Sequence, residues 1–151
     1  QRKLSVHRGV SLVVAVPEDA SMSTQLARSL QPETVPHQDA IFNLSRSALL
    51  IAALIQSPEL LFEATEDRLH QNYRASAMKD TDALLQKLRA KGYAAVVSGA
   101  GPSVLILCSD PGQRLDIAGL VDAHQGGTWT SHMLTVDERG ATVEEVPALA
   151  D

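Results

Sequence analysis

Two β-forming apolar runs, Tyr93-Ala94-Ala95-Val96-Val97 and Val104-Leu105-Ile106-Leu107-Cys108, are separated by six residues, Ser98-Gly99-Ala100-Gly101-Pro102-Ser103. An apolar run, a glycine-containing loop and a second apolar run read as two strands joined by a tight turn. This unit commits the chain to a sheet. Two glycines let the loop backbone enter φ > 0 and come close to a ligand. Pro102 stiffens the loop and removes one donor. A loop of this composition can present its N–H groups as a concave anion site. Read from residue types alone, a plain structural hairpin turn fits the same string.

The other elements follow from periodicity and punctuation. Val10 to Val16 reads as a buried strand ended by Pro17. Ser21 to Leu30 reads as a short helix with Ser21 or Ser23 as N-cap. After the loop marked by Pro32 and Pro36, Asp39 opens the strongest helix. Ile41, Leu44, Ala48, Ile51 and Ile55 fall on one face of it, and Leu49, Leu50, Ala52, Ala53 and Leu54 widen that face, which predicts a second half buried almost all round. Ser57-Pro58 ends it, and Pro58 starts a further helix to about His70, with Leu60, Leu61, Ala64 and Leu69 as its apolar residues. Asp80 to Lys91 is amphipathic, with Leu84, Leu85 and Leu88 inward and Gly92 as stop. A helix from Pro111 or Gly112 to about His124, a strand over Thr128–Val136, a turn at Asp137–Gly140 and an edge strand over Ala141–Val146 complete the chain. Consecutive strands after a run of helices predict an α+β domain with a mainly antiparallel sheet and helices packed on one side. No repeat, low-complexity tract or internal linker divides residues 1–151, so a single domain is expected.

Composition narrows the function classes. A 44% apolar content supports a real core, and a net charge of −5 argues against nucleic acid or an anionic membrane as partner. The longest apolar stretch, Ala48 to Ile55, is too short for a bilayer. The single cysteine, Cys108, excludes an internal disulfide framework, reads as a buried packing residue and fits a reducing, cytoplasmic setting. The chain opens at Gln1 rather than Met, which suggests a fragment. No histidine has a convincing metal-site partner spacing, and neither a nucleophile elbow nor a G-x-x-x-x-G-K-[ST] phosphate loop is present. Glu63, Glu66, Asp67 and His70 read as a solvated acidic face, and Trp129, in its strand pattern, as core.

Two arginines are the candidate ligand groups. Arg28 lies in Ser23-Thr24-Gln25-Leu26-Ala27-Arg28 and Arg74 in Asn72-Tyr73-Arg74. A guanidinium fork matches a carboxylate bidentately, so a converging pair would hold an amino acid by its carboxylate. By residue type alone each reads as an isolated surface arginine. Asn43, Arg46 and Ser47 share one face at the head of the long helix. They read either as solvated polar caps or as a polar patch facing a further domain.

Ser98-Gly99-Ala100-Gly101-Pro102-Ser103 before an apolar strand resembles the third motif of the GHMP small-molecule kinases, and of the homoserine kinases among them most closely. The segments Ser23–Arg28, Asp39–Ala48 and Asp67–Arg74 resemble that pattern too, in the same order, and within the last the string Asp67-Arg68-Leu69-His70-Gln71 reads as structural or supporting the site. The resemblance runs from about Val10 to Cys108. It implies a ferredoxin-like C-terminal domain and transfer of the ATP γ-phosphoryl group to the hydroxyl of L-homoserine, a step of threonine biosynthesis. It implies substrate binding by Arg28, Arg74, Gly99 and Gly101, with Asn43, Arg46, Ser98 and Ser103 behind them or at a domain interface. It assigns no catalytic base and no metal ligand to these residues. ATP and Mg²⁺ would be bound by an N-terminal domain whose Gly-Ser-rich phosphate loop is not found in this sequence. That domain and homoserine are the implied partners, with a homodimer open. The competing reading is a non-catalytic, amino-acid-binding regulatory domain.

Overall fold

Alternation fixes the sheet. In β1 (Ser11–Pro17) every second side chain is buried, and Ala95, Ile106 and Val13 stand opposite one another on β2 (Ala94–Val97), β3 (Val104–Cys108) and β1. β4 (Trp129–Leu134) completes a four-stranded sheet in the order β2-β3-β1-β4, with every pairing antiparallel. These elements come from a computed structural model that describes residues 3–143.

Helices α5 (Lys79–Ala90) and α6 (Gln113–Asp122) cover the face that carries Val13, Ala15, Ala95, Val104 and Ile106. They bury Leu84, Leu85, Leu88, Ile117 and Val121 against it, as the amphipathic spacing of α5 predicts. Trp129 closes this core and donates its indole N–H to Asp80 Oδ2 at 2.7 Å, while His124 Nε2 lies 2.8 Å from Asp80 Oδ1. One carboxylate in the first turn of α5 thus satisfies both polar groups. Cys108 is buried in this core, and burial pushes its thiol up, so it remains a neutral packing group.

A second, smaller core lies at one corner of the opposite face, so helices flank both faces of the sheet rather than the one side expected, because Ala94 and Leu107 point away from Ala95 and Ile106. There α2 (His37–Ile55) and α3 (Leu61–Ala64) bury Ala53, Leu61 and Ala64 against Val10, Ala94 and Leu107. The helix α1 (Thr24–Ser29) starts at Ser23, whose hydroxyl accepts from Leu26 N at 3.1 Å, one of the two N-caps expected.

Three sequence expectations are corrected. First, the stripe Ile41, Leu44, Ile51 and Ile55 is exposed, and among α2 residues only Ala53 is buried. The second half of α2 is apolar all round, so periodicity could not say which face meets the core; the small Ala53 allows the closest approach to α3. Second, no helix runs from Pro58 to His70. A single 3₁₀ turn at Pro58–Leu60 leads into α3, and the chain then leaves helical geometry until α4 (Gln71–Arg74). The cause is Asp67, whose carboxylate draws in the N–H groups of Leu69, His70 and Gln71 and so competes with the helical bonds. Third, α2 begins at His37 rather than Asp39, two residues earlier. Residues 141–143 of the expected edge strand carry no regular structure, and the rest of that segment lies outside the described residues.

Leu88 is fully buried between α5 and the sheet. Leu88→Ala is expected to cost about 2–5 kcal/mol through lost burial and the cavity left behind. The check is the urea midpoint, which should fall with an unchanged slope.

Candidate functional site

Asp67 organises the region where the expected site residues lie. Its Oδ1 accepts from Asn43 Nδ2 at 2.6 Å and from Leu69 N at 3.1 Å, and lies 3.1 Å from His70 Nδ1. Its Oδ2 accepts from His70 N at 2.9 Å and Gln71 N at 2.7 Å. Burial alone would raise this carboxyl; the bonds from Gln71 N–H, Asn43, His70 and Leu69 N–H together outweigh it and hold the group down at about 2. Asn43 also accepts from Arg68 N at 2.8 Å, so one side chain of α2 clasps both sides of the turn. Arg46 donates to Glu66 Oε2 from Nε and Nη2, each at 2.8 Å. Arg46 and Arg68 both lie over the Phe42 ring, at 4.4 and 3.8 Å from its centroid. The two polar α2 residues therefore point into the chain's own 66–71 segment, and Glu66, Asp67 and His70 of the expected acidic face are tied down, while Glu63 stays exposed.

The anchored turn then fixes α4 against the sheet. Gln71 Oε1 accepts from Val97 N at 2.7 Å, at the end of β2. Three residues on, Arg74 Nη1 donates to Gly99 O at 3.0 Å. Assigning the Gln31 amide with its oxygen toward Arg74, the orientation that satisfies both of its ends, lets it accept from Arg74 Nε at 3.0 Å and donate to Leu69 O at 2.8 Å. A cleft of about 280 Å³ opens beside these groups, lined by Asp67, His70, Gln71, Arg74, Val97 and Gly99 among others. Arg74 and Gly99 thus share one cleft. Arg28 does not line it; it is exposed in the last turn of α1 and forms no ion pair or side-chain hydrogen bond among the described residues.

The glycine loop takes the conformations its composition predicts, with Gly99 at φ +59° and Gly101 at φ +86°. Ser98 N donates to Ser103 O at 2.8 Å and Gly101 N to Ser98 O at 3.0 Å, so two of the loop's N–H groups are used internally. Those of Gly99 and Ala100 find no partner among the described residues and are the ones a ligand anion would meet. Thr81 Oγ1 donates to Pro102 O at 2.8 Å and binds the loop to α5. Ser98 and Ser103 close the base of the loop through their backbones.

Sequence reasoning gave Asp67 and Gln71 a structural or supporting role without naming their partners, and missed Gln31. The signal for Asp67 was present, since an Asp followed by backbone donors two to four residues on is a turn-forming arrangement. The two glutamines act across 26 and 43 residues of sequence, and no local pattern marks them.

Residues 46–119 match the family model described as GHMP kinases C terminal. The chain is 68% identical over 145 residues to a homoserine kinase of Clavibacter michiganensis subsp. michiganensis, covering 96% of this chain and 46% of that protein. It is 66% identical over 145 residues to a homoserine kinase of Leifsonia xyli subsp. xyli, covering 96% and 45%. It thus spans about half the length of the curated relatives it matches. A crystal structure of homoserine kinase from Cytophaga hutchinsonii shares the fold with a TM-score of 0.80 at 18% identity, over 89% of this chain and 44% of that one.

Two outcomes test this geometry. The Asp67 carboxyl lies lower in the folded chain, at about 2, than its ordinary 3.8. It therefore stabilises the fold above the unfolded value, and that contribution, about 2 kcal/mol, disappears as pH falls from about 4 to 2. Asp67→Asn should lose a similar amount at neutral pH and show a flatter acid limb in stability measured by urea unfolding against pH. The second outcome separates the glycines. A Cβ on Gly101 would meet Met78 Sδ at 2.8 Å and Val97 Cγ1 at 3.1 Å, whereas one on Gly99 meets nothing within 4 Å. Gly99→Ala should cost about 1–2 kcal/mol, from positive φ alone. Gly101→Ala should cost more, and the difference in melting temperature between the two variants measures the crowding.

Proposed function

We propose that this chain, which over residues 46–119 belongs to the GHMP kinase C-terminal family, is the C-terminal, substrate-side part of a homoserine kinase. The complete enzyme would transfer the γ-phosphoryl group of ATP to the side-chain hydroxyl of L-homoserine, in threonine biosynthesis and in the cytoplasm. The relatives that cover nearly all of this chain carry that name. They leave the regulatory alternative without support.

The observation that carries the reading is the seating of Arg74. Gly99 O and Gln31 take its Nη1 and Nε donors, and Nη2, without a partner among the described residues, is left for a carboxylate. A charge-assisted bond there would hold the substrate by its α-carboxylate, with the Gly99 and Ala100 N–H groups alongside. Such clamping removes orientational freedom before the chemical step, which is most of what a phosphoryl-transfer site supplies. Asp67 already accepts from several donors and is held ionised, so its role is to fix the cleft rather than to take a proton. Arg28, outside the cleft as the chain stands, would join Arg74 on the carboxylate only through a movement of α1. No three His, Cys, Asp or Glu side chains among the described residues converge to hold a metal ion. ATP with its Mg²⁺ is assigned to the N-terminal half of the enzyme, the partner of this one.

In the full-length enzyme, Arg74→Ala should raise the KM for homoserine by roughly 10- to 150-fold, the equivalent of a lost charge-assisted bond of about 1.5–3 kcal/mol. The KM for ATP should change little. Steady-state kinetics with each substrate varied in turn makes the check, and an unchanged homoserine saturation curve would remove Arg74 from the site.

A further inference from the structure

Two buried threonines use their hydroxyls differently. Thr65 donates to Leu61 O, four residues earlier, the usual local bond of a threonine at a helix. Thr81, in the first turn of α5 and only 2% exposed, does not bond locally. Its own fourth preceding carbonyl, that of Ala77, belongs to the 3₁₀ turn Ala75–Ala77, and the hydroxyl donates instead across 21 residues to Pro102 O at 2.8 Å. A buried hydroxyl needs a partner, and among the described residues the one that Thr81 has is the glycine loop.

The loop's other supports show what this bond adds. Two of its N–H groups, those of Ser98 and Gly101, are used inside the loop, and Arg74 holds its first half at Gly99 O. The second half faces α5, where Met78 Sδ lies 2.8 Å from the place a Gly101 Cβ would take. A thioether contact is adaptable and non-directional, because Met turns about three bonds. The Thr81 bond is therefore the directional restraint on that side. The first turn of α5 is a firm post for it: Asp80, next in sequence, takes the Trp129 indole N–H and lies against His124 Nε2, and Leu84, Leu85 and Leu88 are buried in the main core. The free N–H groups of Gly99 and Ala100 thus hang between Arg74 on one side and Thr81 on the other. We propose that Thr81 is a positioning residue for this site: through Pro102 it fixes the glycine loop where the Gly99 and Ala100 N–H groups and Arg74 can meet one anion. The effect on turnover rests on the kinase reading; the placement of the loop does not.

Thr81→Val removes the hydroxyl and keeps the shape, and Thr81→Ser restores the donor; both are made in the full-length protein that carries this chain. Amide hydrogen exchange at Ser98 and Gly101 should quicken roughly 10-fold in Thr81→Val, about what one lost hydrogen bond allows, while Leu84 and Leu88 exchange as in wild type. In Thr81→Ser the loop should stay protected. The kcat/KM for homoserine should fall about 10- to 100-fold in Thr81→Val, the range for a positioning group displaced by up to about 1 Å, with the KM for ATP unchanged. Thr81→Ser should recover most of it. In an Arg74→Ala background Thr81→Val should cost much less, since both residues act on one bound anion. Val121→Ala, in the same core but away from the loop, should lower the melting temperature and leave kcat/KM near wild type. Loop amides that stay protected in Thr81→Val would overturn the proposal whatever the substrate is, and so would a loosened loop with unchanged kcat/KM. A wild-type enzyme that leaves homoserine unphosphorylated overturns the kinase reading instead, and the exchange measurement still decides the role of Thr81.

Discussion

The carboxylate of Asp67 is the point on which the rest of the site depends. Its two oxygens collect three backbone N–H groups and the Asn43 amide. That concentration of donors ends α3, starts α4 and locks both to α2. Without a charged acceptor at this place, the backbone of residues 65–71 would have no reason to leave helical geometry. The bonds also explain why the group stays ionised although it is largely buried: hydrogen bonds to the charged form outweigh the desolvation that opposes it.

From that anchor the geometry propagates by short steps. The first residue of α4, Gln71, bonds the end of β2, and the last, Arg74, bonds the glycine loop that follows β2. α5 reaches the same loop from the other side through Thr81 and Met78. Arg89, also on α5, donates to Phe62 O, Thr65 Oγ1 and Ala95 O, and so joins α3 to β2 behind the cleft. The arginines thus divide by environment. Arg46, Arg68 and Arg89 are taken up by carboxylates, carbonyls and aromatic faces within the chain. Arg74 is held by neutral acceptors only, and its Nη2 has no partner among the described residues.

The long helix shows the same economy on a larger scale. One side of α2 carries Asn43 and Arg46 for the turn and Ala53 for the second core; the other carries only aliphatic groups and faces away. A helix committed on one face to its own domain and apolar on the other leaves exposed apolar area, which is stabilising only once it is covered.

Much of the fold was legible in the sequence, because strand alternation and helix stops are local. The glycine loop, both of its flanking strands, the inward leucines of α5 and the Ser23 cap all follow from neighbouring residue types. So did the family resemblance, which rests on short strings. The reading failed where the deciding partner is distant. Periodicity identified the α2 stripe but could not tell a core face from an outer one, since either buries the same residues somewhere. The helix expected through His70 is broken by a side chain whose donors are fixed only once Asn43 of α2 is in place. Arg28 and Arg74 look alike as residue types. By itself, then, the sequence determined the elements, the loop and the kind of groups available for an anion. Only the tertiary structure decided that Arg74 and Gly99 meet in one cleft, that Arg28 stands outside it, and that α2 turns its aliphatic stripe outward, because those outcomes depend on contacts between segments tens of residues apart.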